Sequence, residues 1–361
     1  MIKTKILFVL PNLNIGGGGS TVMSNIISNL NKDKFEIIVV LIEKKTKQFT
    51  LPSYVKLYEL NSTGLIKASL SLYRLILLIR PNLVFSNSSH INILMIFFKL
   101  LNRRFKLIIR ESTIISIFLN LKFSLKNKFI LILIKYFYNF SDKIICQSLD
   151  MKDDLVNNLN INVNKIVIIP NIVLKPIIIN KENNDNYIQI LSVTRLEKYK
   201  GIYRLIDIFE GIQDVNFKLI IIGEGSEKSN FIDYIKARKL DQKITILPFN
   251  NSVQKYYNSS DLMVSASFID GMPNSIIESC SHGCPTIAFN CIGGTKEIII
   301  EGVNGFLIEN GNIEAFQNSV RSFYKHRLNR SLVSSETYKK FSAENIMFKL
   351  NNLIKNMQLD E

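Results

Sequence analysis

Short apolar runs alternate with longer amphipathic segments along nearly the whole chain, and this alternation is the feature that most constrains the fold. Helix-length segments separate the apolar runs of the first half. Strands alternating with helices of this length are typical of parallel βαβ units in an open, doubly wound sheet. The predicted strands are Ile6–Leu10, Phe35–Ile42, Leu83–Ser86, Leu107–Arg110, Lys143–Gln147 and Lys165–Pro170.

A polar segment, Asn180–Asn186, interrupts this alternation and predicts a linker. The alternation then resumes, so the prediction is an α/β protein with two Rossmann-like, doubly wound domains facing across a cleft. The expected domains are 1–179 and 187–340, and 341–361 is expected to be a helix that crosses back to the first domain. Ligands of such sheets bind beyond the carboxyl ends of the strands. The second set of predicted strands is Tyr187–Val193, Phe217–Ile222, Lys243–Leu247, Leu262–Val264 and Thr286–Phe289.

The net charge of +15 is confined to the first half of the chain. Residues 1–175 contain 24 basic and nine acidic side chains, whereas residues 176–361 contain 21 of each. A one-sided basic charge favours an anionic partner. Because lysines are interleaved with aliphatic and aromatic residues in Leu121–Phe140, this segment suits a helix in an anionic membrane interface better than contact with nucleic acid. The alternative is a core helix whose lysines extend to solvent.

No apolar stretch reaches the roughly 18–20 uncharged residues that span a bilayer. The run Ile6–Leu10 is too short for the core of a signal peptide. We therefore expect a cytoplasmic protein, peripheral at the inner face of the membrane. The group Cys280, His282, Cys284 and Cys291 lacks the paired spacing of structural zinc sites, so we expect reduced thiols and no metal.

Two carboxylates with seven residues between them, Asp270 and Glu278, lie in the stretch Ser265–Phe289. The apolar run there ends in a loop, and Pro273 suits a first helical position because its missing N–H is not needed there. A helix start carries free N–H groups and partial positive charge, so the loop can receive a phosphate or a polar sugar. Taken alone, the stretch is equally consistent with a strand–helix–strand passage carrying surface acids.

Four further segments follow predicted strands and can contact a ligand. Arg195 and Lys200 lie after the strand that ends at Val193, where arginine can hold phosphate oxygens in pairs and lysine supplies a point charge. The glycines Gly16–Gly19 follow the first strand and allow close backbone approach. Gly223-Glu224-Gly225 and Gly293-Gly294-Thr295 are tight turns. Flexible loops and ordinary turns are the alternatives for all of these segments.

In combination these segments resemble the retaining glycosyltransferases of family 4, which have the GT-B fold. After the glycine-rich turn the similar motifs follow in order as S-D-K-I-I-C-Q-S (141–148), K-I-V-I-I-P-N (165–171), R-L-x3-K-G (195–201), G-E-G (223–225), D-G-M-P-N-S-I-I-E (270–278) and G-G-T-K-E-I-I-I-E-G-V-N-G (293–305). The resemblance covers nearly the whole chain and is strongest over 187–308. Each motif is weak by itself, but their order is specific.

The resemblance implies roles for individual residues. Arg195 and Lys200 match the pair that binds the donor diphosphate; Asp270 is expected to contact the transferred sugar and Glu278 the nucleotide ribose. Asp270, Arg195 and Lys200 are therefore the expected catalytic residues, and further residues are expected to bind the donor or to lie on the acceptor side. The further donor-binding residues are Gly17, Gly18, Met272, Pro273, Asn274, Ser275 and Glu224, and the acceptor-side residues are His90, Arg110 and Glu111.

The implied function is transfer of a sugar, of the hexosyl type, from a nucleotide diphosphate donor to a glycan or lipid-linked acceptor in bacterial surface-polysaccharide synthesis. The anomeric configuration is retained, and no metal or other cofactor is expected. Two departures stand out: Asp270 is one methylene shorter than the usual glutamate, and Ser20 replaces an acid often found there. A nucleotide-sugar epimerase and a catalytically silent partner subunit are the alternatives.

Overall fold

The computed structural model describes residues 3–14, 17–43, 49–121, 124–177, 187–249 and 253–359. The chain forms two compact units, one of Met1–Ile172 with Ala343–Glu361 and the other of Val173–Ser342. The division falls seven residues before the predicted end of the first domain. The predicted linker, Asn180–Asn186, lies outside the described residues.

The first unit is built on a parallel sheet whose central strands are buried. Ile6 to Leu10, for example, are all buried, as continuous apolar runs are in sheets covered on both faces. Its described strands are β1 (Thr4–Leu10), β2 (Phe35–Glu43), β3 (Lys56–Ser62), β4 (Leu83–Asn87), β5 (Lys106–Arg110), β6 (Lys143–Cys146) and β7 (Ile166–Ile168). They are arranged in the order β3-β2-β1-β4-β5-β6-β7.

The helices of the first unit lie in the crossover connections that parallel strands need. They are α1 (Gly18–Asn29), α2 (Leu65–Ile79), α3 (Ser89–Leu101), α4 (Ile115–Leu121), α5 (Leu125–Phe137) and α6 (Leu149–Asp153). Single 3₁₀ turns occupy Tyr138–Phe140 and Val163–Lys165, and a π-helical turn occupies Asp154–Asn158.

The second unit repeats the same strand order. Its described strands are β8 (Ile188–Val193), β9 (Phe217–Ile222), β10 (Ile244–Leu247), β11 (Leu262–Ser265), β12 (Ile269–Asp270), β13 (Thr286–Phe289), β14 (Ile292–Gly293) and β15 (Gly305–Ile308). The main sheet runs β10-β9-β8-β11-β13-β15, and β12 pairs with β14. The helices are α7 (Ile202–Glu210), α8 (Lys228–Ala237), α9 (Val253–Ser259), α10 (Asn274–Ser281), α11 (Thr295–Ile298), α12 (Ile313–Lys325) and α13 (Arg330–Phe341), with a 3₁₀ turn at Lys198–Lys200.

The last helix, α14 (Ala343–Leu359), belongs to the first unit and completes its core. Its residues Ile346, Leu350 and Ile354 are buried against the same cluster as Val22 and Ile26 of α1. Within the part of the chain that the structure describes, no helix combines the length and apolar character needed to cross a membrane.

The prediction of two doubly wound parallel-sheet domains is confirmed. Two of the elements that sequence patterns did not predict lack a clear apolar signal. β3 is polar and largely exposed at the sheet edge, and α13 turns Ser334 and Thr337 inward beside Val333 and Phe341. The other unpredicted elements are α4, α9, β12, β14 and β15.

Candidate active site

The strand order of the second unit reverses between β8 and β11, which lie side by side at the centre of its sheet. Connections from these two strands leave the sheet in opposite directions, so a crevice opens beyond their carboxyl ends. The loop after β8 carries Arg195 and Lys200, and the loop after β11 carries Asp270. The topology therefore brings together two loops that are about 70 residues apart in sequence.

Glycines allow these loops to pack closely. A Cβ at Gly201, whose φ is +65°, would lie 1.8 Å from the Ala266 carbonyl oxygen. A Cβ at Gly293, with φ +127°, would lie 1.8 Å from the Asp270 carbonyl oxygen. A backbone hydrogen bond from Phe268 N to Tyr199 O, 3.0 Å long, joins the first two loops directly. A side chain at Gly201 would separate the segments that carry Lys200 and Asp270, and one at Gly293 would push β14 away from the segment that carries Asp270.

Lys200 and Asp270 form an ion pair in which Nζ and Oδ2 are 2.5 Å apart. Both side chains are largely buried, at 14% and 19% exposure. Arg195 is different: it is exposed, and its side chain has no hydrogen bond or ion pair with any described residue. Of the three residues predicted as catalytic, the structure thus pairs Lys200 with Asp270 and leaves Arg195 as an exposed cation on the loop that also carries Lys200.

Arg204, which sequence analysis did not identify, anchors the loop before Asp270. Its guanidinium donates to the carbonyl oxygens of Ala266 and Ser267, both at 2.5 Å. The group also lies between the rings of Phe268 and Phe289, 3.9 and 4.1 Å from their centroids. Burial lowers the Arg204 pKa to about 10, which leaves the side chain charged at neutral pH. The available sequence signal was a basic residue in the first turn of the helix that follows the loop of Arg195 and Lys200.

Glu278 lies in α10, one turn into the helix, and is half-buried. The Tyr257 hydroxyl donates to its Oε2 at 3.0 Å. Burial raises the Glu278 pKa to about 7, although the hydrogen bond from Tyr257 opposes the shift. Burial, reinforced by the nearby Glu278 carboxylate, also raises the pKa of Tyr257, so that the phenol remains a donor. With a pKa of about 7, the Glu278 carboxyl group changes its charge near neutral pH.

The segment between the two acids leads directly into α10. Pro273 is the N-cap, and the helix begins at Asn274, one residue later than predicted. Met272 is buried, and its side chain packs against Gly294, where a Cβ would lie 2.8 Å from the methionine Cε. Ser275 follows in the first turn and is half-buried. The donor-binding roles of these four residues stay predictions.

The G-E-G turn is explained by packing. A Cβ at Gly223 would lie 1.8 Å from the Thr194 carbonyl oxygen, and one at Gly225 would lie 2.2 Å from that of Leu196. The Glu224 carboxylate pairs with Lys228, one helical turn on, at 3.0 Å. The two glycines thus hold the loop after β9 against the loop that carries Arg195, while the role of Glu224 with the donor stays a prediction.

In the first unit the strand order reverses between β1 and β4. Gly17 is the N-cap of α1, and its carbonyl accepts a hydrogen bond from Thr21 N at 3.0 Å. Gly18 is the first helical residue, whereas Gly16 lies outside the described residues. His90 is exposed in the first turn of α3. That Gly17 and Gly18 approach a diphosphate stays a prediction. That His90 contacts an acceptor stays a prediction as well.

Arg110 and Glu111 lie at the end of β5 inside a buried polar network. Arg110 donates to the side-chain oxygens of Asn87 at 3.1 Å and Asn171 at 2.6 Å. Glu111 accepts from Asn92 Nδ2 at 2.7 Å and from the Tyr138 hydroxyl. Burial lowers the Arg110 pKa to about 10 and raises the pKa of Glu111. Both side chains are only 2% exposed, and their role on the acceptor side stays a prediction.

The cysteine-rich segment is buried. Cys280, Cys284 and Cys291 are buried free thiols, and burial raises the Cys280 pKa to about 12. His282 Nδ1 lies 3.2 Å from Asn258 Oδ1. The described ranges contain no group of three histidine, cysteine or acidic side chains placed to hold a metal ion.

Two family models match consecutive parts of the chain. Residues 16–173 match Glycosyltransferase Family 4, and residues 175–344 match Glycosyl transferases group 1. The boundary between the two matches coincides with the division between the compact units to within a few residues.

Curated relatives match over parts of their length. An N-acetylgalactosamine-N,N'-diacetylbacillosaminyl-diphospho-undecaprenol 4-alpha-N-acetylgalactosaminyltransferase of Campylobacter jejuni is 31% identical over 219 residues, covering 59% of this chain and 59% of the relative. The amylovoran biosynthesis glycosyltransferase AmsD of Erwinia amylovora is 30% identical over 154 residues, covering 43% of this chain and 41% of the relative. The chain thus spans less than two thirds of the length of these relatives.

Among solved structures, Anabaena Alr3699/HepE in complex with UDP-glucose has the same fold. Its TM-score is 0.76 at 18% sequence identity, and the match covers 98% of this chain and 99% of that one.

Proposed function

Because this chain carries the two domains of the family-4 type of glycosyltransferase on a GT-B fold, we propose that it transfers a sugar from a nucleotide diphosphate donor to a glycan or lipid-linked acceptor. The pathway would be the assembly of a bacterial surface polysaccharide, with the enzyme at the inner face of the membrane. The names of the Campylobacter and Erwinia relatives support an acceptor of this class.

The observation that carries the proposal is the Lys200–Asp270 pair at the point where the sheet order reverses. A diphosphate that binds Lys200 competes with Asp270 for the ammonium group. Asp270 then accepts hydrogen bonds from sugar hydroxyls, one loop away from the exposed Arg195. Cations placed in advance where negative charge develops are among the largest contributions to catalysis.

The proposed reaction retains the anomeric configuration and needs no metal ion. Arg195 and Lys200 stabilise the leaving diphosphate, and a leaving phosphate oxygen accepts the proton of the acceptor hydroxyl. Glu278 accepts hydrogen bonds from the ribose of the donor. NMR of the product tests retention, since an inverted anomer contradicts it, and activity that is lost in EDTA and restored by Mg²⁺ contradicts independence of metals.

A thermal-shift panel of UDP-, GDP-, ADP- and dTDP-linked sugars tests donor binding. A ligand present at 100 times its dissociation constant stabilises a protein by about 2.7 kcal/mol, so the correct donor is expected to raise Tm measurably. The same donor should give no shift with Lys200→Ala at that concentration. If no member of the panel stabilises the wild-type protein, the proposal fails.

Incubating the selected donor without an acceptor separates transfer from epimerisation. Without an acceptor, a transferase hydrolyses the donor slowly and does not change the configuration of its sugar. An epimerase converts the donor to the nucleotide sugar of the other configuration. Conversion in the absence of acceptor would therefore contradict the proposed activity.

A further inference from the structure

The helix α5 leaves four of its nine apolar residues exposed. It has 13 residues, of which only Ile134 is fully buried. Leu125, Phe129, Ile132 and Tyr136 are spaced by four, three and four positions and therefore lie along one side of the helix. All four are exposed, Leu125 by 86% and Phe129 by 60%. Soluble monomers rarely leave a contiguous apolar row of this kind in water.

Two neighbouring helices extend this surface. The rings of Phe97 in α3 and Phe137 in α5 are 4.7 Å apart, and those of Tyr73 in α2 and Phe98 in α3 are 4.9 Å apart, so α2, α3 and α5 lie side by side. Further exposed apolar residues lie on α2 and α3. We call the outer surface of these three helices the α2–α3–α5 face, and the added residues are Ile66, Leu70, Leu78 and Leu101.

The charges of this region have one sign. Residues 60–141, which contain all three helices, include twelve basic residues and a single acidic one, Glu111. Glu111 is buried in the network described above, so it contributes nothing to the surface. The exposed basic residues on the three helices and at their ends are Lys67, Arg74, Arg80, Arg103, Arg104, Lys126, Lys128 and Lys135.

We propose that the α2–α3–α5 face lies on an anionic lipid bilayer, with the α5 row inserted at the level of the headgroups. Exposed apolar rows flanked by lysines are the pattern of helices that lie in a membrane interface. A second copy of the chain would set two basic faces against each other. A nucleic acid would leave the apolar row in water. The bilayer is the partner that satisfies both the apolar and the basic residues.

The inference deepens the proposed function, on which it rests for the lipid-linked nature of the acceptor. It names the surface by which the first unit meets the membrane. Its test measures lipid contact without any sugar transfer, so failure of the membrane proposal and failure of the transferase proposal give separate results.

The chain contains no tryptophan, so one introduced tryptophan reports its own surroundings. Phe129→Trp places the reporter in the α5 row, and Phe348→Trp places it on α14 of the same unit, where the native side chain is 65% exposed. With vesicles of phosphatidylcholine and phosphatidylglycerol (3:1) at low salt, we expect a blue shift and quenching by brominated lipid for Phe129→Trp only.

Charge variants test the basic part of the face. Lys128→Gln/Lys135→Gln should lower the vesicle partition coefficient about 30-fold, because each lysine near an anionic surface contributes roughly fivefold. Lys349→Gln/Lys355→Gln, on exposed positions of α14, should leave it unchanged. Circular dichroism of every variant confirms that the chain is folded.

Three results would overturn the proposal. One is the absence of a blue shift for Phe129→Trp with the anionic vesicles. Another is an equal shift at both reporter positions. The third is a blue shift of Phe129→Trp that rises with protein concentration without vesicles, which would assign the face to a second copy of the chain.

Discussion

The two units place charged residues at the carboxyl ends of strands in sheets of the same topology, with opposite results. In the first unit, Glu111 is closed inside a network in which Asn92 and Tyr138 donate to it. In the second unit, Lys200 and Asp270 form a pair beside Arg195, which is exposed and has no side-chain partner among the described residues.

The difference shows that position in a fold does not by itself make a charged residue reactive. A buried carboxylate whose donors are all provided by its own domain stabilises that domain, because those donors would cost free energy if unpaired. An ion pair that a ligand can compete for, next to an exposed cation, is available for binding and catalysis. Variants in each region should therefore affect different measurements.

The largest expected effect is on turnover in the second unit. Lys200→Ala and Arg195→Ala should each lower kcat by about 10²–10³, because each removes a cation placed to stabilise the leaving diphosphate. Lys198→Ala is the control. That lysine lies on the same loop, but its side chain is 77% exposed, and its ion pair with Glu227 is long, with 3.9 Å between Nζ and Oε1. Near wild-type turnover of both site variants with the true donor would show that the pair is structural.

A comparable effect, on stability instead of rate, is expected in the first unit. Glu111→Ala should lower the free energy of unfolding by about 3 kcal/mol, because each buried donor left unpaired costs about 1–3 kcal/mol. Urea unfolding measures this change. Tyr138→Phe, which removes one donor and keeps the acceptor, should cost less.

Glu36→Ala provides the matched control for Glu111→Ala. Glu36 pairs with Lys56 at 2.7 Å on the surface of the same unit, and exposed pairs contribute about 0–1 kcal/mol. If Glu111→Ala were as stable as Glu36→Ala and instead raised KM for the acceptor, the network would belong to the acceptor site and the contrast between the units would disappear.

A smaller effect on rate is expected for Arg204→Lys. Lysine cannot reproduce the fork that holds the Ala266 and Ser267 carbonyls, nor the stacking between two rings. We expect kcat to fall about tenfold, since displacements of 1 Å can cost up to 10²-fold, with the affinity for the nucleotide alone unchanged. Arg238→Lys is the control, because Arg238 also stacks on a ring, that of Tyr234, but contacts neither loop. Equal effects of the two variants would remove Arg204 from the positioning of Asp270.

Sequence patterns predicted the strands that are largely apolar, and with them that the loops carrying Lys200 and Asp270 follow strand ends at one edge of a sheet. The ion pair between these two side chains was not predicted. The patterns did not predict β3 or α13, whose polar residues give no periodic signal. The structural role of Arg204 depends on carbonyl groups more than 60 residues away, and the Glu111 network depends on Asn92 and Tyr138. Such partners are known only after the chain is folded.

The smallest predicted effect concerns Glu278, which combines features of both regions because it is half-buried yet placed at the candidate site. Its pKa is raised from an ordinary 4.5 to about 7, so between these values the folded protein binds a proton that the unfolded chain has lost. The stability contributed by this proton is present below about pH 4.5 and is lost as the pH rises to about 7. Glu278→Gln cannot ionise at this position, so it does not lose stability through this group as the pH rises.

Urea unfolding at pH 5 and pH 8 therefore measures the Glu278 effect as a difference between two proteins. We expect Glu278→Gln to gain about 1 kcal/mol relative to the wild type between these pH values, less than the full shift implies because the side chain is half-buried. Tyr257→Phe should make the pH dependence steeper, since the hydrogen bond from Tyr257 stabilises the carboxylate. Parallel pH profiles for the wild type and Glu278→Gln would show that the Glu278 carboxyl group is solvated like an ordinary surface acid. Burial would then raise the pKa of a carboxyl group at Glu111 in the first unit but not at Glu278 in the second.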